Sequence, residues 1–335
     1  MSPSVESEAH LPWSIIRYLA CTILSLAFII GVPGNTFVIW TICGRMKQRS
    51  PTIVMILNLA IADLLVLGTL PIWIYSIAKT WVFGLITCKI LTFLIYSSMY
   101  ASVFLIVALS MERFMAVFYP FAIQRWKKKK ATSLGLLLIW LLSIAFGAGG
   151  IPFKGVDDED GIECMVVSYY SNTQLIACLL LETLVGFVVP FAIISICYVC
   201  VGRRISKMTC PSKRRSAMLI TAVVVAFALC WLPHHTINLI SIAAALTEDS
   251  HPEGSKALEN ISEVGSYIAG SIALISSCIN PLLYAFAARN FQSSVRFERL
   301  SKLFELMIPS VREGGTKEAS STPGQDETLT SSAII

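Results

Sequence analysis

Seven stretches of this chain are apolar over the length that a membrane-crossing helix requires, and no other property narrows its folding options so far. A helix needs about 20 mostly apolar residues to cross the hydrocarbon core of a bilayer. Residues 18–44, 50–78, 90–111, 131–151, 175–202, 216–247 and 264–288 each supply such a run. With 55% hydrophobic and only 14% charged residues, the chain lies far from soluble globular composition. The connections are short, which favours antiparallel neighbours in one bundle. The expected fold is therefore an all-α membrane protein, a seven-transmembrane helix bundle over 13–288.

The flanks read differently. Residues 1–12 are expected to be a disordered N-terminus, and Glu6 and Glu8 without a basic cluster speak against a cleavable signal peptide. Residues 289–307 place Phe291, Val295, Phe297 and Leu300 near helical spacing with basic residues between them, which predicts a short amphipathic eighth helix on the membrane surface. Residues 308–335 are expected to be a disordered tail in which Thr328, Thr330, Ser331 and Ser332 offer phosphorylation sites.

Orientation follows from the lysines and arginines, which collect in cytoplasmic loops. Arg45, Lys47 and Arg49 follow the first run, Arg125 and Lys127 to Lys130 follow the third, and Arg203, Arg204, Lys207, Lys213, Arg214 and Arg215 follow the fifth. The opposite side is sparse, with Arg17, Lys79, Lys154 and Lys256. A multi-pass plasma-membrane protein with its N-terminus extracellular and its C-terminus cytoplasmic is expected. The net charge of +5 is mostly this topology signal and implies no nucleic-acid partner.

Most of the ten cysteines fall within the spans, as small apolar side chains do. Cys88 and Cys164 lie on the outer side, where disulfides form, and are predicted to pair. Asn260 opens a glycosylation triplet on the same side, about one turn from the seventh run. The loop carrying Asp157, Asp158, Glu159 and Asp160 reads as a solvated face.

Charge at membrane depth is costly, so each instance suggests function. Asp63 sits mid-span, and Asn35, Ser102 and Asn280 are neighbours of matching depth. Such a carboxylate among hydroxyl and amide oxygens could hold a sodium ion, or could be a polar knot that only fixes packing. Glu112 and Arg113 end the third run as adjacent opposite charges, which suggests a latch that opens when the arginine finds another partner, with Tyr198 and Tyr284 at comparable depth. Pro71, Pro190, Pro233 and Pro281 each remove a helical hydrogen bond. Pro233 lies beside Trp231, so a hinge there could swing the inner end of the sixth helix outward. Glu182 is a buried acid that could accept ligand hydroxyls or bind a cationic ligand.

Taken in order, GVPGN with Asn35, LAIAD with Asp63, the WVFG turn before Cys88, Glu112-Arg113-Phe114, Trp140, Pro190, CWLP and NPLLY with Asn280, Pro281 and Tyr284 resemble the rhodopsin-like G-protein-coupled receptors. SMYAS at 98–102, LETLVGFVVPF at 181–191, WLPHHTINL at 231–239 and SSCINPLLYA at 276–285 resemble the leukotriene B4 receptors of the chemoattractant branch. The resemblance implies an anionic lipid agonist, coupling to heterotrimeric G proteins of the inhibitory class, receptor kinases and arrestin acting at the tail, and a place in chemotaxis and inflammation. Carried over by position, the ligand site comprises Tyr100, Ser102, Lys154, Glu182, Trp231 and His235. Its activation switch comprises Glu112, Arg113, Tyr198, Trp231, Asn280, Pro281 and Tyr284, and its sodium site Asp63, Ser102 and Asn280. Phe114 stands where the family has tyrosine, and Thr92, Leu175 and Ser266 stand where basic residues are expected.

Physically, a long hydroxylated fatty acid needs an apolar slot, a few polar groups partway down and a cation near the mouth, for which Lys154 or Lys89 is available. The acidic outer loop could instead attract a basic peptide or an amine, so a chemoattractant-peptide or other small-ligand receptor is the alternative. A transporter would be expected to show pseudo-symmetric halves, and none are visible. An intramembrane hydrolase would need a nucleophile paired with a base, which His234 and His235 do not supply. No enzymatic activity is expected, and no cofactor beyond the sodium ion.

Overall fold

The computed structural model describes residues 13–46, 50–119, 129–157, 163–167, 169–205 and 211–288. The segments expected to form the N-terminus, the eighth helix and the tail lie outside these residues. Seven rods carry the chain back and forth: α1 (Trp13–Arg45), α2 (Pro51–Ala78), α3 (Gly84–Phe118), α4 (Lys129–Gly149), α5, α6 (Pro211–Thr247) and α7 (Pro252–Ala288). Rod α5 is composite, with Asn172–Thr183 and Val189–Ile205 joined by a π-helical turn over Leu184–Val188. All seven contain a span long and apolar enough to cross a membrane. Helices suit that solvent because each satisfies its own backbone hydrogen bonds where water cannot. The end of the bundle bearing Cys88 is termed outer, and that bearing Arg113 inner.

Helix α1 packs on α2 and α7, α2 on α3, α3 on α4 and α5, and α6 on α5 and α7, so the ring closes. Tyr100, Val103, Leu105, Ile194, Phe227, Cys230 and Trp231 form the largest shared core, between α3, α5 and α6. A second cluster, Leu24, Ala27, Leu67, Leu70 and Cys278, joins α1, α2 and α7. On α4, Leu134, Leu137, Leu138, Leu141 and Leu142 stay exposed, an apolar face suited to lipid.

Several boundaries differ from those expected. Rod α3 continues from Met111 to Phe118, which puts Glu112 and Arg113 on the helix rather than beyond it. Rod α7 begins at Pro252 instead of residue 264, with proline at a first-turn position that has no helical partner for an N–H. Its outer turns are held to α6 by Ser255 Oγ donating to the Ala244 carbonyl at 2.9 Å and by a short Ser241–Ser262 hydroxyl pair. Asn260 therefore sits exposed on the helix itself, not in a loop ahead of it.

The outer loop after α4 is not wholly irregular. Strands β1 (Lys154–Asp157) and β2 (Glu163–Val167) pair antiparallel, with Lys154 opposite Val167 and Asp157 opposite Glu163, and the register shifts between Gly155 and Val156. Of the acidic run, Asp157 ends β1, while Asp158, Glu159 and Asp160 lie outside the described residues. The predicted Cys88–Cys164 disulfide is present, with Cα atoms 5.7 Å apart, and ties β2 to the first turn of α3. Beneath it, fully buried Trp81 donates from Nε1 to the Gly84 carbonyl at 2.9 Å, and Gly84 adopts φ +74°, which a side chain would disfavour. Trp73, Trp81, Cys88 and Leu91 form one buried cluster there.

Proline positions explain two local features. Pro190 cannot donate to the carbonyl four residues back, and the backbone directly before it widens, Val189 N–H reaching the Leu184 carbonyl. Pro281 likewise leaves the Ser277 carbonyl without its helical donor. Asn35 of α1 fills the gap, its Nδ2 donating to that carbonyl at 2.9 Å and to the Gly31 carbonyl at 3.0 Å. A Cβ at Gly34 would stand 2.8 Å from the Pro281 Cβ, so glycine permits this approach of α1 to α7.

The tightest seam joins α3 and α4, where a Cβ on Gly147 would meet Ser97 Oγ and lie 2.8 Å from the Ser97 backbone nitrogen. Gly147→Ala is expected to destabilise the bundle by about 1–3 kcal/mol through this overlap. Thermal unfolding of the detergent-solubilised protein checks it, with Gly135→Ala on the same helix, where nothing lies within 4 Å, expected to melt no lower than the wild type.

Candidate functional site

Three groups of polar side chains occupy three depths of the bundle. The middle group centres on Asp63, only 1% exposed. Ser102 Oγ donates to Asp63 Oδ1 at 3.2 Å and Asn280 Nδ2 donates to Oδ2 at 2.9 Å, so one carboxylate joins α2, α3 and α7. A small cavity beside it is lined by Asp63, Ser102, Phe227, Ser276 and Asn280, among others. Asn35, expected as a neighbour of Asp63, instead serves the Ser277 carbonyl. Its link to the carboxylate runs through the α7 backbone.

The outer group lies between α3, α5 and α6. Tyr100 is 4% exposed and packs on Phe104 and Phe146, with ring centroids at 6.0 and 5.3 Å. Ser102 follows two positions later, about 200° around the helix, which turns it to Asp63 and away from the side Tyr100 occupies. Glu182 is not left to face a ligand alone, because His234 Nε2 lies 2.7 Å from its Oε1. In the next pair along, His235 Nδ1 lies 3.4 Å from Thr183 Oγ1, and the His235 ring stacks on Phe187 at 5.0 Å. Gly186 lets this close packing form, since a Cβ there would lie 3.5 Å from His235 and 3.7 Å from Tyr100. Trp231 sits beneath, near Phe227 at 5.8 Å and His235 at 6.0 Å.

On α6, Trp231 Nε1 and His235 Nε2 are buried without hydrogen-bond partners, while Asn238 faces Glu182. The three residues recur at i, i+4 and i+7, hence on one helix face. Buried polar atoms left unpaired cost about 1–3 kcal/mol each. The side chains of Lys154 and Tyr284 lie outside the described set, although β1 and α7 contain their backbones.

The inner group closes the third helix. Arg113 Nε stands 3.6 Å from Glu112 Oε2, with both side chains about one-tenth exposed. That is an ion pair and not a hydrogen bond. Glu112 Oε2, Arg113 Nε and Nη2 and the Tyr198 hydroxyl are all buried without hydrogen-bond partners. The latch is shut but loosely held, and Tyr198 has not received the arginine. Phe114, in place of a tyrosine, stacks on Phe118 at 4.7 Å.

Sequence reasoning missed His234 as the partner of Glu182, since the two are 52 residues apart. It also missed Asn58, whose Oδ1 accepts from Trp140 Nε1 at 3.0 Å and ties α2 to α4. An acid and an imidazole at similar depth in consecutive spans were the available signal for the first. For the second, a mid-span indole and a mid-span amide gave the same kind of hint.

Comparison with known proteins agrees with this arrangement. The 7 transmembrane receptor (rhodopsin family) model matches residues 34–284. Leukotriene B4 receptor 1 of Homo sapiens is 34% identical, covering 99% of this chain and 97% of that receptor. Chemerin-like receptor 2 of Mus musculus is 28% identical over 88% of this chain and 83% of that receptor. The C3a anaphylatoxin chemotactic receptor of Oncorhynchus mykiss is 31% identical over 90% and 81%. The transporter and hydrolase readings fall away, and a ligand and a heterotrimeric G protein are the partners that go with such a bundle. The chain belongs to the rhodopsin family of G-protein-coupled receptors, in its chemoattractant branch and near leukotriene B4 receptor 1.

Proposed function

We propose that the agonist is an anionic lipid mediator of the leukotriene B4 type, a hydroxylated eicosanoid, and that the receptor signals through inhibitory-class G proteins at the plasma membrane with its basic loops cytoplasmic. The observation that carries this reading is the pairing of Glu182 with His234 at 2.7 Å. An acid already answered by an imidazole and by Asn238 has little left for a ligand amine, while the unpaired nitrogens of Trp231 and His235 invite groups such as hydroxyls. Similarity to leukotriene B4 receptor 1 over nearly the whole chain supports the same choice.

In this account the lipid chain lies along Tyr100 and the α6 face, and the Lys154 side chain meets the carboxylate at the mouth. Pressure on Trp231 and His235 bends α6 about Pro233, so its inner end leaves α3. Glu112 then releases Arg113, which moves toward Tyr198 and Tyr284 while Asn280 and Pro281 adjust in α7. The G protein enters the opening, and receptor kinases and arrestin act afterwards on the tail. A sodium ion held by Asp63, Ser102 and Asn280 would oppose the change, as a negative allosteric modulator does. Those oxygen donors and the small cavity beside them fit a hard cation.

A second reading has its own support. Glu248, Asp249, Glu253, Glu259 and Glu263 crowd the outer ends of α6 and α7, a field that attracts basic peptides. The chemerin-like and C3a receptors among the relatives agree with it.

Cyclic AMP and calcium responses to leukotriene B4, related eicosanoids, chemotactic peptides and amines, tested in parallel, separate the two. Response to the lipids is expected, and silence to them with response to a peptide would reverse the assignment. Lys154→Ala is expected to lower lipid potency by about 10-fold or more, the loss of one charge-assisted hydrogen bond. Glu112→Gln, read as agonist-independent nucleotide exchange, is expected to raise basal activity about fivefold, equivalent to about 1 kcal/mol. Replacing choline by sodium at constant ionic strength is expected to reduce agonist affinity several-fold, and Asp63→Asn to abolish that effect, as radioligand competition would show.

A further inference from the structure

The three outer connections differ in character. The segment between α6 and α7 reads Glu248-Asp249-Ser250-His251, and that between α4 and α5 carries the acidic run. The turn from α2 to α3 instead reads Lys79-Thr80-Trp81-Val82-Phe83-Gly84-Leu85-Ile86, apolar after its first two residues. A turn that faces water is ordinarily polar. Here the apolar side chains also point outward, with Val82 60% and Ile86 76% exposed and Phe83, Leu85 and Ile90 between 38% and 52%. Ile86 and Ile90 lie four residues apart, on one face of α3, so the exposed face of the turn runs on into that of a membrane span.

This exposure is built on a fixed frame. Trp81 is fully buried beneath the turn and donates to the Gly84 carbonyl. The rings of Trp73, Trp81, Phe83 and Tyr75 follow one another with centroids 5.6, 5.2 and 5.7 Å apart, a chain of contacts from the core to the surface. The depth of the turn follows from α1. Cys21 Sγ lies 3.7 Å from the Ile74 carbonyl, which sets α1 against α2. The two helices run antiparallel, so Tyr18, three residues outward on α1, stands level with Ile77, and Trp13 lies about 8 Å farther out. Tyr18 is strongly and Trp13 partly exposed, and exposed aromatic residues at the end of a span mark the boundary of membrane and water. Starting two residues beyond Ile77, the α2–α3 turn falls within that band.

We propose that the α2–α3 turn is seated in the outer leaflet of the bilayer, with Val82, Phe83, Leu85 and Ile86 among the upper acyl chains and glycerol groups of phospholipids. The exposed Lys79 side chain, at the start of the turn, reaches the phosphates above them. A lipid surface is the partner because the patch continues a face that already meets lipid, lies at the depth of the aromatic band and carries a cation for a headgroup at its rim. An exposed apolar surface of this kind marks contact with another apolar phase. Through the Cys88–Cys164 bond the same seating sets the height of β2 relative to the bilayer.

Val82→Cys and Ile86→Cys, each carrying the environment-sensitive dye NBD, place a probe at exposed positions where it disturbs little packing. Because Cys43 is exposed, both are made with Cys43→Ser, and the signal of receptor without the added cysteine is subtracted. The receptor is held one per phosphatidylcholine nanodisc, with a nitroxide-bearing lipid or aqueous iodide as quencher. For side chains seated about 5–10 Å into the boundary of headgroups and acyl chains, a nitroxide near the carbonyl end of the chain is expected to lower emission about twofold while iodide leaves it nearly unchanged. The same dye at Glu259→Cys, on an exposed outer turn of α7, is expected to show the reverse. Quenching at 82 and 86 by iodide and not by the lipid would put the turn in water and overturn the proposal. Dyes shielded from both quenchers would mean that protein covers the patch, which overturns it equally.

Discussion

A polar atom inside a bilayer has no water to turn to, and the architecture of this receptor follows from how each such atom is answered. The helices answer most of them by their own hydrogen bonding. Prolines create the exceptions, and the chain repairs them from neighbouring helices or by altering the helix itself. Asn35 supplies from α1 the donor that Pro281 removes from α7. The widened turn before Pro190 re-registers the backbone of α5. Asp63, answered from α3 and α7, draws three helices to one point.

Against that background the unanswered atoms stand out, and they occur at the two ends where partners arrive. Trp231 and His235 leave nitrogen atoms unpaired on the outer half of α6, and polar atoms of Glu112, Arg113 and Tyr198 are unpaired at the inner end. Unpaired buried groups raise the energy of a resting state. A bundle that carries them at both ends is stabilised by whatever satisfies them, so a molecule bound at one end and a protein bound at the other favour the same rearrangement. The satisfied cluster around Asp63 lies between the two sets and joins three helices.

Much of this was readable in the sequence, for reasons that also explain the omissions. Spans of apolar residues, the mid-membrane Asp63, the paired charges at Glu112 and Arg113 and the two outer cysteines all carry local signals. The outer turns of α7 do not, because Glu253, Lys256, Glu259 and Glu263 are polar and hydropathy ends where helix continues. Serine bonds to α6, together with the packing of the two helices, hold that extension in place. The strand pair was hidden by the acidic run that falls between the two strands in the sequence, although Met165, Val166 and Val167 favour strand. Glu182 was legible as a buried acid, but its meaning changed once His234 was found beside it. Ser102 was assigned to two sites, and the geometry of α3 sends it to Asp63.

The covalent anchoring of the hairpin has a kinetic corollary. Cys164 is the second residue of β2, and its bond to Cys88 near the start of α3 holds that strand against the outer end of that helix. A strand held in this way cannot leave α3 while the bond lasts, so a guest that enters beside it would pass an edge of fixed position, and its rates of entry and exit would be set by the gaps left between the helices.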